Sequence, residues 1–317
     1  MSVDQSSRAR LQRRLARMAE NDILGLSERQ IYAPEAHLNP DHLLPDPTPL
    51  FDKNTPIGSM GSCFAREIKS HLQESGYNYV HYGEGPRAAH GSAPWERVYN
   101  TACIRQEVER AFGLFDPDPV ADSEGRMHDL HRMKTVFNSS EEATATIAQY
   151  KQQARAALMD SDVFIITLGL SEVWYDQKTN RVFAQVPPKS AYVAERHAFR
   201  LLTPDENVVN VRTAIELLRQ HNPHVQVILT VSPVPLRATF FNRSVVVSNH
   251  VSKSTLLYTA HAITQELDGV HYFPSYEITH HLVEEPFDWD SRHVTKAAVD
   301  MIMDLFHRTF GSQSKHE

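Results

Sequence analysis

The chain has 317 residues, 41% of them hydrophobic, and a formal net charge of −7 at pH 7. This length and apolar content suffice for one large domain, and the acidic balance argues against a general nucleic-acid-binding surface. No run of about 18 apolar residues occurs and the N-terminus is polar, so neither a membrane span nor a secretory signal is expected. Two cysteines, Cys63 and Cys103, do not make a disulfide framework. We therefore predict a cytoplasmic protein.

The first 44 residues are expected to form an arm apart from the main domain. Within residues 8–18, Leu11, Leu15 and Met18 share one side of a basic amphipathic helix. Prolines recur between residues 34 and 56 and favour an extended connector. A basic helix can bind a membrane or a partner helix, but this apolar stripe is thin. We predict a peripheral arm or a contact between the subunits of a homo-oligomer.

A strand that turns sharply into a helix is predicted at residues 57–65, which read Ile-Gly-Ser-Met-Gly-Ser-Cys-Phe-Ala. Glycines at such a turn let the backbone pass close to a ligand, and the first N–H groups of the helix favour negative charge there. A serine in this place can be a nucleophile whose own amide stabilises an oxyanion. The same residues also suit a plain helix N-cap in an ordinary α/β unit.

Strand and helix patterns alternate along the rest of the chain. Apolar or β-rich runs predict strands at 77–82, 162–168, 225–231 and 270–273. Helical patterns cover about 101–112, 140–158, 206–221, 249–267 and 294–310. The alternation predicts an open, doubly wound parallel sheet. We expect one domain over 45–312, with a helical insertion at about 84–158 and a polar tail at 313–317.

Three polar segments follow the predicted strands and should meet at one edge of the sheet. Ser62 follows the first strand, residues 169–172 follow the third, and residues 232–234 follow the fourth. In open α/β sheets, ligands bind in the crevice at the carboxyl ends of the strands. The sequence therefore places a binding site at this edge.

A carboxylate and an imidazole stand three residues apart just before the last helix. In the loop, Asp290 can accept from one ring N–H of His293 and leave the other nitrogen to take a hydroxyl proton. Asp288 is a competing carboxylate, and Asp290 can also serve simply as a helix cap.

Five segments, in the order of a known family, carry a resemblance. Gly61-Ser62-Cys63-Phe64-Ala65 resembles the signature of the GSCFA family, which belongs with the SGNH or GDSL-like hydrolases. Residues 167–174, 249–256 and 272–277 are similar to further family segments, and residues 290–293 fit the Asp-x-x-His of the last SGNH block. The likeness spans roughly residues 45–310 and implies a three-layer α/β/α sandwich with flavodoxin-like strand order.

The resemblance implies a serine-dependent esterase or O-acyltransferase that acts on a small, acetyl-type ester, expected to be carbohydrate-linked. Ser62 would form the acyl-enzyme, His293 would be its general base, and Asp290 would orient the base. Water as the acceptor gives hydrolysis, whereas a hydroxyl acceptor gives transfer from an acyl donor. The alternative is a catalytically degenerate domain that binds a glycan or a protein partner.

Two departures from the SGNH pattern support that alternative. Gly61 directly precedes Ser62, where SGNH enzymes commonly have Gly-Asp-Ser. Ser171 stands where their third block has an Asn that donates to the oxyanion. The provisional oxyanion donors are therefore the N–H groups of Ser62 and Gly169 and the hydroxyl of Ser171.

Four further residues are candidates for substrate contacts: Glu172, Asn249, Lys253 and His131. Asn249 and Lys253 suit substrate binding and the capped start of a helix equally well. For His131, a surface loop is favoured over a place in the cleft.

The remaining reactive side chains are expected to be structural. Cys63 is predicted to be a buried packing residue whose side chain points away from Ser62, and Ser59 to lie inside the first strand. The 18 histidines lack strong metal-ligand spacing, and no nucleotide-binding glycine motif occurs. Neither a metal nor a cofactor is expected.

Overall fold

The computed structural model describes residues 39–312, together with residues 9, 10, 13, 16 and 30. The predicted N-terminal helix therefore lies largely outside the described residues, as does the tail at 313–317. The elements in chain order are α1 (Pro40–Leu43), β1 (Ile57–Gly61), α2 (Cys63–Glu74), α3 (Thr101–Ala111), β2 (Val120–Ala121), β3 (Met127–Asp129), β4 (Thr135–Phe137), α4 (Ser140–Met159), β5 (Val163–Leu168), β6 (Glu172–Asp176), β7 (His197–Leu201), α5 (Pro204–His221), β8 (Gln226–Val231), α6 (Val245–Glu266), β9 (Val270–Phe273), α7 (Ser275–His281) and α8 (Lys296–Phe310).

The central sheet is parallel throughout, with strand order β1-β5-β8-β9. The strand predicted at 77–82 is reduced to a single bridge between Tyr79 and Ile57 on the outer side of β1. A later segment takes over that edge: the N–H of Ser92 donates to the Ser59 carbonyl at 2.9 Å, and that of Val98 to the Gly61 carbonyl at 2.7 Å. Half of the edge of β1 is thus covered by an irregular segment rather than by a second strand.

Side chains of the central strands alternate between two hydrophobic cores. On β5, Val163 and Ile165 face a core built with α2 and α8, whereas Phe164 and Ile166 face the core built with α3 to α6. Both faces of the sheet are therefore covered by helices, which explains the continuous apolar strand sequences. The predicted three-layer α/β/α sandwich with a doubly wound parallel sheet is confirmed.

Two small antiparallel sheets accompany the central one and were not predicted. Strands β2, β3 and β4 form one of them between α3 and α4, and β6 pairs with β7 in the other. The first is tied to α3 by a buried bidentate pair between Arg110 and Asp129, with N···O distances of 2.7 and 3.2 Å. Among the described helices, none combines the length and the apolar character needed to cross a membrane.

Candidate active site

The turn from β1 into α2 is so tight that only glycine fits at its centre. Gly61 has a φ of +142°, and a Cβ there would lie 2.2 Å from the Thr167 Oγ1 and 2.3 Å from the Thr167 carbonyl oxygen. Ser62 follows as the N-cap of α2, and its Oγ accepts from the Phe64 N–H at 3.3 Å. The end of β1 is therefore in close contact with β5, and Ser62 lies beside the carboxyl end of β5.

The loop before α8 holds the imidazole of His293 against Asp290. The ring Nδ1 lies 2.6 Å from Asp290 Oδ2, while Oδ1 accepts from the backbone N–H groups of His293 at 2.9 Å and Arg292 at 3.0 Å. The backbone N–H of His293, then that of Arg292 and the ring itself, lower the pKa of Asp290 to about 2. An ionised carboxylate at Nδ1 keeps the proton there and leaves Nε2 as the acceptor. Asp288 joins this loop through its backbone: its N–H donates to the His293 carbonyl and its carbonyl accepts from the Ser291 N–H, both at 2.8 Å.

Ser62 and His293 line one cavity of about 410 Å³ at the carboxyl ends of β1, β5 and β8. Gly169 and Ser232 belong to the same lining, so the polar segments after these three strands meet as their order predicts. Within the described residues, no hydrogen bond joins Ser62 to His293. Ser62 Oγ lies instead 3.2 Å from Thr167 Oγ1, and Ser62 itself is 2% exposed. Such contacts are often loose before substrate binds.

None of the three provisional oxyanion donors is available to a ligand in the cavity. The Ser62 N–H donates to Thr167 Oγ1 at 2.7 Å, and the Gly169 N–H to the Tyr99 carbonyl at 2.9 Å. Ser171 is fully buried outside the cavity lining, and its Oγ has no hydrogen-bond partner in the described part of the chain. A developing oxyanion would therefore need another donor.

Asn100, which the sequence analysis did not select, lies in the cavity lining with an amide suited to that task. Asn100 is the N-cap of α3, and its Oδ1 accepts from the Cys103 N–H at 2.8 Å. This bond fixes which end of the amide is oxygen, so Nδ2 is the end left for a ligand; no acceptor for it occurs among residues 39–312. An Asn before the Thr-Ala start of a helical pattern is an N-cap signal and was visible in the sequence.

The backbone next to Asn100 lies against the Ser62 turn. A Cβ on Gly169 would be 2.7 Å from the Tyr99 carbonyl oxygen and 3.3 Å from both the Tyr99 Cα and the Ser62 Cβ. Gly169 is therefore the residue that lets the segment before Asn100 and the Ser62 turn approach each other. This packing brings the side chain of Asn100 to the same cavity as Ser62.

Cys63 lies in this cavity as well, and the prediction that it is a buried packing residue is wrong. It is half-buried, and its Sγ lies 3.2 Å from the Tyr99 hydroxyl and 4.0 Å from Arg97 Nη1. As the first residue of α2 it projects to the open end of the sheet, while the apolar residues that follow turn into the core. Ser59 is buried in β1, with its Oγ 2.6 Å from the Tyr79 hydroxyl, and does not line the cavity.

Lys253 and Asn249 are not in the cavity lining but tether the loops that form it. α6 begins at Val245 with Ser244 as its cap, so neither residue caps a helix start. The buried ammonium of Lys253 donates to the carbonyls of Gly169 at 2.8 Å, Ser232 at 2.7 Å and Val234 at 2.9 Å. Burial lowers the pKa of Lys253 to about 7. Asn249 Oδ1 accepts from the Leu236 N–H at 3.1 Å.

His131 and Glu172 occupy different surroundings. The Nδ1 of His131 lies 2.8 Å from the Val182 carbonyl oxygen, and its ring packs against Phe115 and Phe183. Phe183 lines the cavity, but His131 does not. Burial lowers the pKa of His131. Glu172 lies in the lining, 3.4 Å from the Arg243 guanidinium. No group of three His, Cys, Asp or Glu side chains that could hold a metal ion occurs among the described residues.

A second cavity, of about 470 Å³, lies between α3 and α5 and holds none of the candidate site residues. Its three arginines are all in ion pairs: Arg200 lies 2.7 Å from Glu206, and Arg105 and Arg181 lie 2.6 and 2.9 Å from Glu109. We therefore place the candidate active site in the Ser62 cavity.

Solved structures of low similarity include a candidate platelet activating factor from Streptococcus pneumonia, with 11% identity over 96% of this chain and 98% of that chain and a TM-score of 0.39. A carbohydrate esterase family 3 protein from Talaromyces cellulolyticus has 11% identity over 80% of this chain and 94% of that chain, with a TM-score of 0.36. The acetyl xylan esterase Est2A from Butyrivibrio proteoclasticus has 11% identity over 71% and 55%, with a TM-score of 0.28. At such values the likeness by itself establishes nothing about this chain. No curated protein matches the chain.

The GSCFA signature at the Ser62 turn lies at the start of a much longer match. The sequence model described as the GSCFA family matches residues 56–306, which contain β1, the whole central sheet, the Asp290 loop and most of α8. Because this match covers more than half of its length, the chain belongs to the GSCFA family.

Proposed function

We propose that this protein is a serine-dependent esterase or O-acyltransferase that acts on a small, acetyl-type ester. The observation that carries the proposal is the shared cavity of Ser62 and His293, with the Nδ1 of His293 held 2.6 Å from Asp290. A hydroxyl, an imidazole and an orienting carboxylate are the groups that acyl transfer through a covalent intermediate requires.

The reaction would begin when Ser62 Oγ turns from Thr167 towards His293. Nε2 of His293 takes the hydroxyl proton as Oγ attacks the ester carbonyl, and the carbonyl oxygen becomes an oxyanion. As the intermediate collapses, Nε2 gives the proton to the leaving alcohol and the acyl group stays on Ser62. Water then releases the acid, or an acceptor hydroxyl takes the acyl group.

The oxyanion would be stabilised by the Asn100 amide. Its Nδ2 is a donor held in place by the N-cap bond of its own Oδ1, so no reorganisation is needed as charge develops. In this scheme the oxyanion donor is the Asn100 side chain and not a backbone N–H. This assignment supplies an oxyanion donor although the N–H groups of Ser62 and Gly169 are already hydrogen-bonded to Thr167 and Tyr99.

A carbohydrate-linked ester fits the aromatic surfaces around the cavity. Trp174, Phe199 and Phe240 line it and pack against one another, with ring centroids 5.0 to 5.6 Å apart. Trp289, next to Asp290, is 96% exposed. Large exposed aromatic faces on a folded domain commonly mark binding surfaces, and flat rings stack on the apolar faces of sugars.

Labelling with a fluorophosphonate probe and hydrolysis of 4-nitrophenyl acetate test the proposal together. We expect one adduct, on Ser62, and loss of both labelling and turnover in Ser62→Ala and His293→Ala. Cys63→Ala is the matched control, because it removes the neighbouring nucleophile from the same cavity and should still be labelled. An adduct on Cys63, or aryl acetate turnover by Ser62→Ala as fast as the parent, would refute the assignment.

The second candidate is a domain that binds a glycan or a protein partner without chemistry. The engagement of the Ser62 N–H by Thr167 and of the Gly169 N–H by Tyr99 favours it, because both expected oxyanion donors are occupied. The probe separates the two candidates: a folded protein that takes up no fluorophosphonate at Ser62 has no activated serine.

A further inference from the structure

The cavity around Ser62 is basic, although the chain has a net charge of −7. Its lining includes four cationic side chains and one carboxylate: Arg97, Lys134, Arg237, Arg292 and Glu172. Glu172 does not neutralise this group, since it already pairs with Arg243 at 3.4 Å. A cleft of one charge sign raises the local concentration of ligands of the opposite sign.

Most of this positive charge has no carboxylate partner among residues 39–312. Arg292 donates to the Pro235 carbonyl at 3.2 and 3.4 Å, which positions the guanidinium but leaves its charge uncompensated. Arg237 and Lys134 have no carboxylate partner within residues 39–312. Arg97 is paired with Glu96 at 2.9 Å, and that carboxylate is shared with His90 at 3.0 Å.

Two buried donors in the same lining also lack acceptors. Arg97 Nε and Trp174 Nε1 have no hydrogen-bond partner within the described part of the chain. Buried donors in folded proteins are nearly always satisfied, so a group in a binding cavity that is not satisfied points to a ligand acceptor. Cations and unpaired N–H groups together describe a cavity for an oxygen-rich anion.

Arg292 belongs to the His293 loop, and Arg237 belongs to a segment in contact with that loop. Arg292 directly precedes His293, and the carbonyl that it holds belongs to Pro235, two residues before Arg237. In the proposed reaction His293 protonates the leaving alcohol. A charge near Arg237 and Arg292 would therefore sit on the alcohol part of the ester and not on the acyl group.

We infer that the ester cleaved at Ser62 carries an anionic group on its alcohol part, bound by Arg237 and Arg292. The inference rests on the proposed function and specifies its substrate class: acyl esters of an acidic alcohol, such as an O-acetylated sugar with a carboxylate or a phosphate. Guanidinium binds either oxyanion through paired N–H···O bonds.

Three acetyl esters test the inference: methyl 4-acetoxybenzoate, 4-acetoxybenzoate and 4-acetoxyphenyl phosphate. They present a neutral ester, a carboxylate and a phosphate at the same position. The methyl ester has the better leaving group, so a preference for the anions opposes intrinsic reactivity. We expect at least one anion to have a kcat/KM about tenfold above the neutral ester, and this ratio to fall towards one at about 1 M salt, where the Debye length is ~3 Å.

Charge-removing variants assign the preference to the two arginines. Arg237→Gln and Arg292→Gln should each lower the anion-to-neutral ratio about fivefold, as expected for a partly exposed charge pair. Arg237→Lys should restore part of it. Arg155→Gln is the matched control: it removes an exposed positive charge on α4, outside the cavity lining, and should leave the ratio unchanged.

Calorimetry separates this inference from the proposed function. Ser62→Ala protein should bind 4-hydroxybenzoate or 4-hydroxyphenyl phosphate more tightly than methyl 4-hydroxybenzoate, whether or not the parent protein turns over esters. Failure of the proposed function would appear as no hydrolysis of any ester with this binding preference intact. Equal binding of the anionic and neutral alcohols, or a preference that survives in Arg237→Gln and Arg292→Gln, would overturn the inference.

Discussion

Gly61→Ala should be far more damaging than an ordinary glycine replacement, because two independent costs meet at this position. The first is conformational: a φ of +142° lies outside the range of L side chains, at a cost of roughly 1–3 kcal/mol. The second is steric: the new methyl would lie 2.2 Å from Thr167 Oγ1, 2.3 Å from its carbonyl oxygen and 2.8 Å from its amide nitrogen. Two of these three atoms are backbone and cannot move aside alone.

Relief of the clash requires β1 to move away from β5 at the Gly61–Thr167 pair. That movement breaks the two contacts of Ser62 with Thr167 Oγ1, from the Ser62 N–H at 2.7 Å and from the Ser62 Oγ at 3.2 Å. Each buried bond is worth about 1 kcal/mol. With the conformational cost, the free energy of unfolding should fall by about 4 kcal/mol, a size that few single substitutions reach.

Gly113→Ala is the matched control. Gly113 also has a positive φ, +78°, but a Cβ there would meet nothing within 4 Å. It should lose only the conformational part, about 1–2 kcal/mol. Urea unfolding with equal m-values gives both differences, and fluorophosphonate labelling of the folded fraction reports whether Ser62 is still presented. If Gly61→Ala is within about 1 kcal/mol of Gly113→Ala and is labelled as fast as the parent, the close approach of β1 to β5 does not position the serine.

Other predictions concern the groups around the serine. Asp290→Asn should lower kcat about 10³–10⁴-fold; because the pKa of Asp290 is lowered to about 2, the stability lost should be full above about pH 4 and vanish as the pH falls towards 2, as thermal unfolding would show. Asn100→Asp, which keeps an N-cap acceptor but removes the Nδ2 donor, should lower kcat about 10²–10³-fold with normal stability, whereas Asn100→Ala should also lose about 1 kcal/mol; unchanged kcat would remove Asn100 from the mechanism. Trp289→Ala should reduce kcat/KM on acetylated polysaccharide but not on 4-nitrophenyl acetate, and equal losses on both would contradict a role in stacking.

The central sheet was predictable from the sequence because its strands are buried on both faces. β5 and β8 are mainly apolar runs of six residues, long enough to be recognised as buried strands. The small sheets were not predictable because their strands are too short for a periodic pattern. β2 has two residues, both exposed, and β3 and β4 are three residues long. The edge beside β1 also depends on tertiary contacts, since residues 92–98 cover the half of that edge where the second strand was expected to continue.

In the candidate site, too, local features were predictable from the sequence and features that depend on tertiary contacts were not. The Ser62 turn and the Asp290–His293 pair are local patterns, and local patterns can be read from the sequence. The surroundings of Lys253 cannot, because its three carbonyl partners come from two loops after different strands. The amide of Asn100 is of the same kind: its N-cap bond is local, but its place in the Ser62 cavity depends on Gly169, far along the chain.

Thr167 connects the geometry of the turn with the chemistry proposed for it. The close approach that excludes a side chain at Gly61 also brings Thr167 Oγ1 within 2.7 Å of the Ser62 N–H and 3.2 Å of its Oγ. Rotation about the Ser62 side chain frees Oγ for His293, but the backbone N–H stays with Thr167 as long as β1 and β5 stay paired. The charge that develops on the substrate must then be met by other donors. In the proposed mechanism the Asn100 amide meets this charge, while Arg237 and Arg292 bind the alcohol part of the ester. A serine without the usual SGNH neighbours would then still be able to act as the nucleophile.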